Sequence, residues 1–309
     1  MSTPHPRRST RYPRLLRWAA LAAVLGLAAL VVPASAVKPT EVALVKVHRG
    51  SGVDVSPDVV WILAVGSDAR PGENMTRTRG DALQLIGMNT RTGAAAAIGV
   101  PRDSYVSIPG HGYDKINAAL YFGGPDLLGQ AVGNLVGIQP DYVFVSRFPF
   151  FIDMVRSIGG IEVRNPVAFA DTYLKPKGFR AGRIHLSGYD AMAFARTRHD
   201  LIRGDFDRSA NQQRVLRGIQ AKVRARADRP GFIERGVMNV MEHLYTDLPP
   251  AELFRLAQAM AQVEPAKITT CVVQGSIGEA GGASIVRPFT SQARMLGNEA
   301  RKDATLEHC

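Results

Sequence analysis

Apolar residues in this chain fall alternately into short unbroken runs and helix-spaced stripes, and each pattern predicts an element. The run Val59-Val-Trp-Ile-Leu-Ala-Val65 is bounded by Pro57 and Gly66 and reads as a strand buried on both faces. Residues 81–88 and 94–100 are strand-like on either side of the turn Asn89-Thr-Arg-Thr-Gly93. After Gly123-Gly-Pro125, helix spacing of Leu127, Leu128, Val132, Leu135 and Val136 predicts a helix over 126–136. A strand follows at 142–145, then a helix at 150–158 stopped by Gly159-Gly160, then a strand at 161–163. Further helices are expected at 188–196, 209–227 and 250–263, and a late strand at 268–273. Such alternation predicts an α/β fold, an α-β-α sandwich with a central mixed sheet flanked by helices, in a single exported domain. Beyond Phe289 the chain is polar, and residues 291–309 are expected to form a poorly ordered C-terminal tail.

The first residues change the picture of where that domain sits. Arg7, Arg8, Arg11, Arg14 and Arg17 precede an apolar stretch from Trp18 to Val32, which Pro33 to Ala36 extend to Val37. Basic residues before a hydrophobic segment keep the N-terminus in the cytoplasm and send the remainder outside. Two readings stand: a signal peptide cut after Ala34-Ser35-Ala36, or a retained anchor with Trp18 at the interface. The expected organisation is a basic tail at 1–17, a hydrophobic segment at 18–37, a linker at 38–57, and the exported domain at 58–290 before the tail.

Net charge is +11, and residues 175–229 hold 14 Lys/Arg against 5 Asp. Charge grouped in this way calls for a polyanionic partner. Nucleic acid is disfavoured, because the basic stretch follows an export segment and no helix-turn-helix or zinc pattern is present. The two cysteines, Cys271 and Cys309, are disulfide candidates if exported, or else a small buried residue and a loose end. No GxSxG or GxxxxGK[ST] occurs, which disfavours a serine hydrolase and a nucleotide-dependent kinase.

Charged residues gather at strand ends, where open α/β sheets bind ligands. Gly66-Ser-Asp68-Ala-Arg70 follows the first buried strand, Arg77-Thr-Arg79-Gly-Asp81 opens the second, and Pro101-Arg102-Asp103 closes the third. A fourth group comprises Arg196-Thr-Arg198-His199 and Asp205-Phe-Asp207-Arg208-Ser-Ala-Asn-Gln212-Gln213, in which Arg208 and Gln212 share one helix face. Guanidinium forks match phosphate oxygens and remain charged at any working pH, so the set suits a metal-bound diphosphate.

These segments, with Lys115-Ile-Asn117-Ala, Gly159-Gly160-Ile161 and Ser187-Gly188-Tyr-Asp-Ala191, occur in an order and spacing that resembles the LytR-CpsA-Psr (LCP) family over about residues 59–286. The resemblance implies an LCP-like fold and a magnesium-dependent phosphotransferase of cell-wall biogenesis. It would move a glycopolymer phosphate from a polyprenyl diphosphate carrier to a peptidoglycan hydroxyl. It also favours a retained signal-anchor, so a membrane-attached protein with its catalytic domain outside. Asp68 and Asp81 would hold Mg2+. Arg79, Arg102, Arg196, Arg198, Arg208 and Gln212 would bind the diphosphate, with Asp81, Arg102, Arg196 and Arg198 catalytic and the lipid in an apolar pocket between sheet and helices. The general base is open between Asp81 and Asp103. A non-catalytic binder of lipid-linked glycan is the alternative, and it needs no Asp68/Asp81 pair.

Overall fold

The structure, a computed structural model, describes residues 41–47, 58–198, 200–241 and 243–309, the side chain of Asn239 apart. The basic tail, the hydrophobic segment and most of the linker expected at 38–57 lie outside these residues. Four strands come first: β1 (Val42–Lys46), β2 (Val59–Ser67), β3 (Gly80–Asn89) and β4 (Ala95–Gly99). A hairpin of β5 (Tyr105–Ile108) and β6 (Gly112–Lys115) leads to α1 (Ala118–Val136), β7 (Tyr142–Arg147) and α2 (Phe148–Ser157). Two small antiparallel pairs follow, built from β8 (Ile161–Asn165), β9 (Phe169–Asp171), β10 (Lys175–Phe179) and β11 (Gly182–Leu186). Next come α3 (Gly188–Arg196), α4 (Asp205–Arg224), α5 (Phe232–Met241), β12 (Leu244–Thr246) and α6 (Pro250–Gln262). Strand β13 (Ile268–Val272), the hairpin β14 (Gly275–Ala280) and β15 (Ala283–Pro288), and α7 (Thr290–Ala300) complete the described chain.

Seven strands form one sheet in the order β12-β1-β7-β2-β3-β4-β13. Its pairings are mixed: β2 runs antiparallel to β3 and parallel to β7, while β4 runs antiparallel to β3 and parallel to β13. Alternation along each strand sends side chains to two faces. On one face Ala43, Trp61, Leu63, Leu85, Ile98 and Val145 pack with Leu128, Val132 and Leu135 of α1 and with Leu296 of α7. On the other, Leu44, Ile62, Met88 and Tyr142 meet Val237 of α5 and Leu253 and Leu256 of α6. The α-β-α sandwich expected from the alternation is the observed architecture.

Three boundaries differ from the sequence pattern. The 38–57 linker contributes strand β1, second from the sheet edge, with Val42 and Ala43 fully buried. Only four consecutive apolar positions, Val42 to Val45, mark it, too short a run to show a period. Helix α1 begins eight residues before 126 and is broken at Gly124, whose φ of 73° precedes Pro125. Proline lacks the N–H that a continuous helix would use, so the second segment starts there as the glycine-proline pair implies. The tail expected at 291–309 is instead an ordered part of the domain. Ala293, Leu296, Ala300 and Ala304 are fully buried against the first face of the sheet. Their helical spacing escapes notice because three of the four are alanines in a polar stretch. A disulfide joins Cys309 to Cys271 on β13 and ties this segment down.

Candidate active site

Antiparallel pairing places the end of β2 beside the start of β3, so Asp68 and Asp81 become neighbours by topology. The ladder pairs Gly66 with Ala82 but Ser67 with Gly80, leaving Asp81 as the extra residue of a β-bulge. Bulges re-aim side chains next to active sites. The loop after β2 is held by Ser67, whose hydroxyl donates to the Met75 carbonyl (2.9 Å), lies 2.8 Å from Thr78 Oγ1 and accepts from Ala69 N (3.3 Å).

Helix α3 ends at Arg196, with Thr197 already extended, so Arg196 and Arg198 are freed from the divergence of about 200° that a continuous helix would impose. Arg196 Nη2 lies 3.3 Å from Asp68 Oδ1 and 3.4 Å from Asp81 Oδ2, and its guanidinium stands 4.1 Å over the Phe148 ring. Arg198 Nη1 turns instead to Asp103 Oδ2 at 3.4 Å, where Lys115 Nζ also approaches the other oxygen at 3.0 Å. Arg102 pairs with Asp81, and Arg208 with the buried Asp205 one turn earlier on α4. Gln212 accepts from Gln84 Nε2 (3.0 Å) and donates to the Ala195 carbonyl (3.3 Å).

Burial, and after it the facing Asp81 carboxylate, push the Asp68 carboxyl up from its ordinary value. Burial likewise raises Asp205 and lowers Arg208, so desolvation weighs on both partners of that ion pair. Arg102 Nε and Arg208 Nε are buried and have no partner. Each such orphan donor costs about 1–3 kcal/mol, which a phosphate oxygen would relieve.

The cluster stands at one end of a cavity of about 1440 Å³. Asp68, Asp81, Arg102, Arg196, Arg198, Arg208 and Gln212 line it there. From Arg208 the wall follows α4 through Val215 and Ile219 to Val223, a helical rise of roughly 22 Å. Ile62, Ile86 and Met88 of the sheet and Val237, Leu253 and Leu256 of the helices make much of the remainder apolar, although Arg217, Arg226, Arg229 and Arg235 line it too. Pockets for small ligands usually run about 300–1,000 Å³, so this one suits a longer apolar molecule with a charged head.

Seven of the expected site residues are thus brought together. Arg79 is not: it is exposed and outside the cavity wall, and only its carbonyl takes part, accepting from Asp68 N at 3.3 Å. The bulge at Asp81 breaks the alternation that would have put both residues on one face. Two contributors were not read from the sequence. Gln84 is a polar residue within an apolar strand, and Phe148 sits under Arg196 through a tertiary contact, so neither leaves a spacing signal. Asp205, grouped with Arg208 in the sequence, does take part as its partner three residues earlier.

The LytR_cpsA_psr family model matches residues 35–302. A polyisoprenyl-teichoic acid–peptidoglycan teichoic acid transferase, TagU, of Bacillus anthracis is 33% identical over 196 residues, 63% of this chain and 62% of that protein. TagT of Bacillus subtilis is 34% identical over 60% of this chain and 59% of its own length. The chain therefore spans about three-fifths of the length of these curated relatives. Among solved structures, B. subtilis TagV superposes with a TM-score of 0.66 at 26% identity, covering 82% of this chain and all of that one. TagT with bound octaprenyl pyrophosphate lipid gives 0.62 at 25% identity, covering 84% and 95%. With the mixed sheet, the strand-end acids and the arginine cluster all in place, the family match over most of its length shows that this chain belongs to the LytR_cpsA_psr family.

Proposed function

We propose that this protein transfers a glycopolymer phosphate from a polyprenyl diphosphate carrier to a hydroxyl of the cell wall, with peptidoglycan as acceptor. The observation that carries this reading is one cavity in which four arginines stand beside two carboxylates at one end and apolar side chains form most of the remaining wall, with Arg217, Arg226, Arg229 and Arg235 also on its lining. That amphipathic division matches a prenyl chain ending in a diphosphate. The naming of TagU and TagT as teichoic acid transferases, and the octaprenyl pyrophosphate held by TagT, support it.

The acceptor hydroxyl would attack the phosphorus that bears the glycan and give its proton to a carboxylate base, Asp103 or Asp81. The P–O bond to the prenyl phosphate breaks, prenyl phosphate departs, and a phosphodiester joins glycan to wall. Arg102, Arg196, Arg198 and Arg208 surround the place where negative charge develops on the equatorial and leaving oxygens. Phe148 fixes the Arg196 plane, and Gln84 with the Ala195 carbonyl fixes Gln212, so these donors need little reorganisation.

Magnesium fits the carboxylate pair. Asp68 and Asp81 offer hard oxygens to one position, and the burial and like-charge repulsion that raise Asp68 are relieved by a dication. Among the described residues no group of three or more His, Cys, Asp or Glu converges, so the carboxylate pair would supply only part of the ion's coordination. When bound, the ion would act as a Lewis acid on the diphosphate. The hydrophobic segment at 18–37 is proposed as the retained membrane anchor. Among the described residues no helix is long and apolar enough to cross a membrane.

Purified protein mixed with prenyl-diphosphate glycan, peptidoglycan and magnesium should release prenyl phosphate and label the wall polymer. Asp81→Ala should abolish both while leaving the fold intact. Calorimetry with a prenyl diphosphate should show magnesium dependence in the unaltered protein. The same dependence in Asp68→Ala would sink the metal assignment. Prenyl-diphosphate binding without turnover under any metal would instead select the non-catalytic binder.

A further inference from the structure

Beyond the arginines, on the side the apolar cavity does not reach, stands the β5–β6 hairpin. Val106 and Ile108 turn into the core, so Tyr105 and Ser107 face out. Register pairs Tyr105 with Lys115 and Ser107 with Tyr113, placing all four on one outward face. The Tyr105 and Tyr113 rings lie 5.8 Å apart at 37°, and Tyr113 is 68% exposed. An exposed tyrosine of this kind on a backbone-paired hairpin is a fixed platform, since hairpin pairing holds it and no core demands it. The face is continuous with the active site. Lys115 Nζ reaches Asp103, which also meets Arg198, and Ile116 N and Asn117 N donate to the carbonyls of Ser104 (2.7 Å) and Arg102 (3.3 Å). From Asp103 to Tyr105 is roughly 7 Å of extended chain, within reach of a short oligosaccharide attached to the diphosphate or attacking it.

We infer that this outward face of the β5–β6 hairpin, with Tyr113 as its principal ring, is a saccharide-binding subsite that stacks a pyranose beside the reacting phosphate. The inference rests on the function proposed above. Aromatic faces carry partial negative charge, and the C–H groups on one side of a pyranose are polarised positive, so the two associate face to face. Ser107, Lys115 and the tyrosine hydroxyls meet the sugar's own hydroxyls. A protein partner would need on the order of 1,000 Å² of total buried surface, far more than two rings on a short hairpin offer. An acyl chain would find no continuous apolar surface on a face that carries Ser107 and Lys115.

The test uses the full chain and three probes: a tetrasaccharide of β-1,4-linked N-acetylhexosamines, a lipid-free glycosyl phosphate, and a prenyl diphosphate without sugar. Tyr113→Ala should weaken binding of at least one saccharide roughly three- to tenfold, and Tyr113→Trp should retain it. Loss confined to the tetrasaccharide assigns the subsite to the acceptor, and loss confined to the glycosyl phosphate assigns it to the donor. Prenyl diphosphate should bind the unaltered and variant proteins alike. Saccharide affinities unchanged in Tyr113→Ala, or no saccharide binding by the unaltered protein, overturn the inference. Failure of the unaltered protein to bind prenyl diphosphate would instead overturn the proposed function.

Discussion

Arginine placement at the mouth of the cavity separates two acid partners that a single strand-end pattern could not distinguish. Arg196 serves the Asp68/Asp81 pair, whereas Arg198 serves Asp103. Both should matter to transfer, and Arg102→Ala or Arg198→Ala is expected to lower the rate about 100- to 1,000-fold with folding retained. Lysine at either site should rescue poorly, because a point charge does not reproduce the planar fork. Arg224→Ala, exposed and absent from the cavity wall, is the near-neutral control in the same assay. Asp68 allows a second check. Its pKa is raised in the folded state, chiefly by burial, so its ionised form destabilises the protein above the folded pKa and not below the unfolded one. Asp68→Asn should therefore raise the melting midpoint slightly at neutral pH, since solvent screens so exposed a group, and lose the advantage well below the carboxylate range. Thermal melts of both proteins at the two pH values measure it. At this scale the sequence was informative where charge met a strand end, as at Asp68, Asp81 and Arg102. It misled at Arg79, because a bulge leaves no mark in a residue pattern, and it was silent on Gln84.

Helices and strands were legible in proportion to their apolar periodicity. The strand at 59–65, the helix at 188–196 and the helix beginning at Pro250 emerge close to where their patterns put them. β1 and α7 escaped, because one carries only four apolar residues in a row and the other buries chiefly the small residues Ala293, Gly297 and Ala300, which weaken any stripe. Yet α7 is packed closely. A Cβ on Gly297 would stand 2.1 Å from the Val136 carbonyl at the end of α1, so only glycine permits this crossing. Gly297→Ala is expected to cost about 1–3 kcal/mol by overpacking, read as a lower urea midpoint with an unchanged slope. An unchanged midpoint would show that the α1–α7 contact is looser than described.

The whole molecule divides its labour between the two faces of one sheet. The face under α1 and α7 is filled by packed side chains, while the face under α4, α5 and α6 is held open by the small residues Ala95 and Ala97 of β4. Ile86 lines that open side on β3, packed against the cluster that includes Ile62 and Met88. Ile86→Trp should lower affinity for long prenyl diphosphates at least tenfold and spare short ones, a difference of about 1.4 kcal/mol or more in binding measurements across chain lengths. Equal losses at all lengths would place the wall elsewhere. The disulfide between residues 38 positions apart has a topological consequence. Everything from Cys271 to Cys309 is one covalent ring, and the exposed β14–β15 hairpin with Glu279 lies on its circumference. A glutamate-specific protease cutting after Glu279 would open the ring without parting the chain, so one band on a non-reducing gel would resolve into two only on reduction.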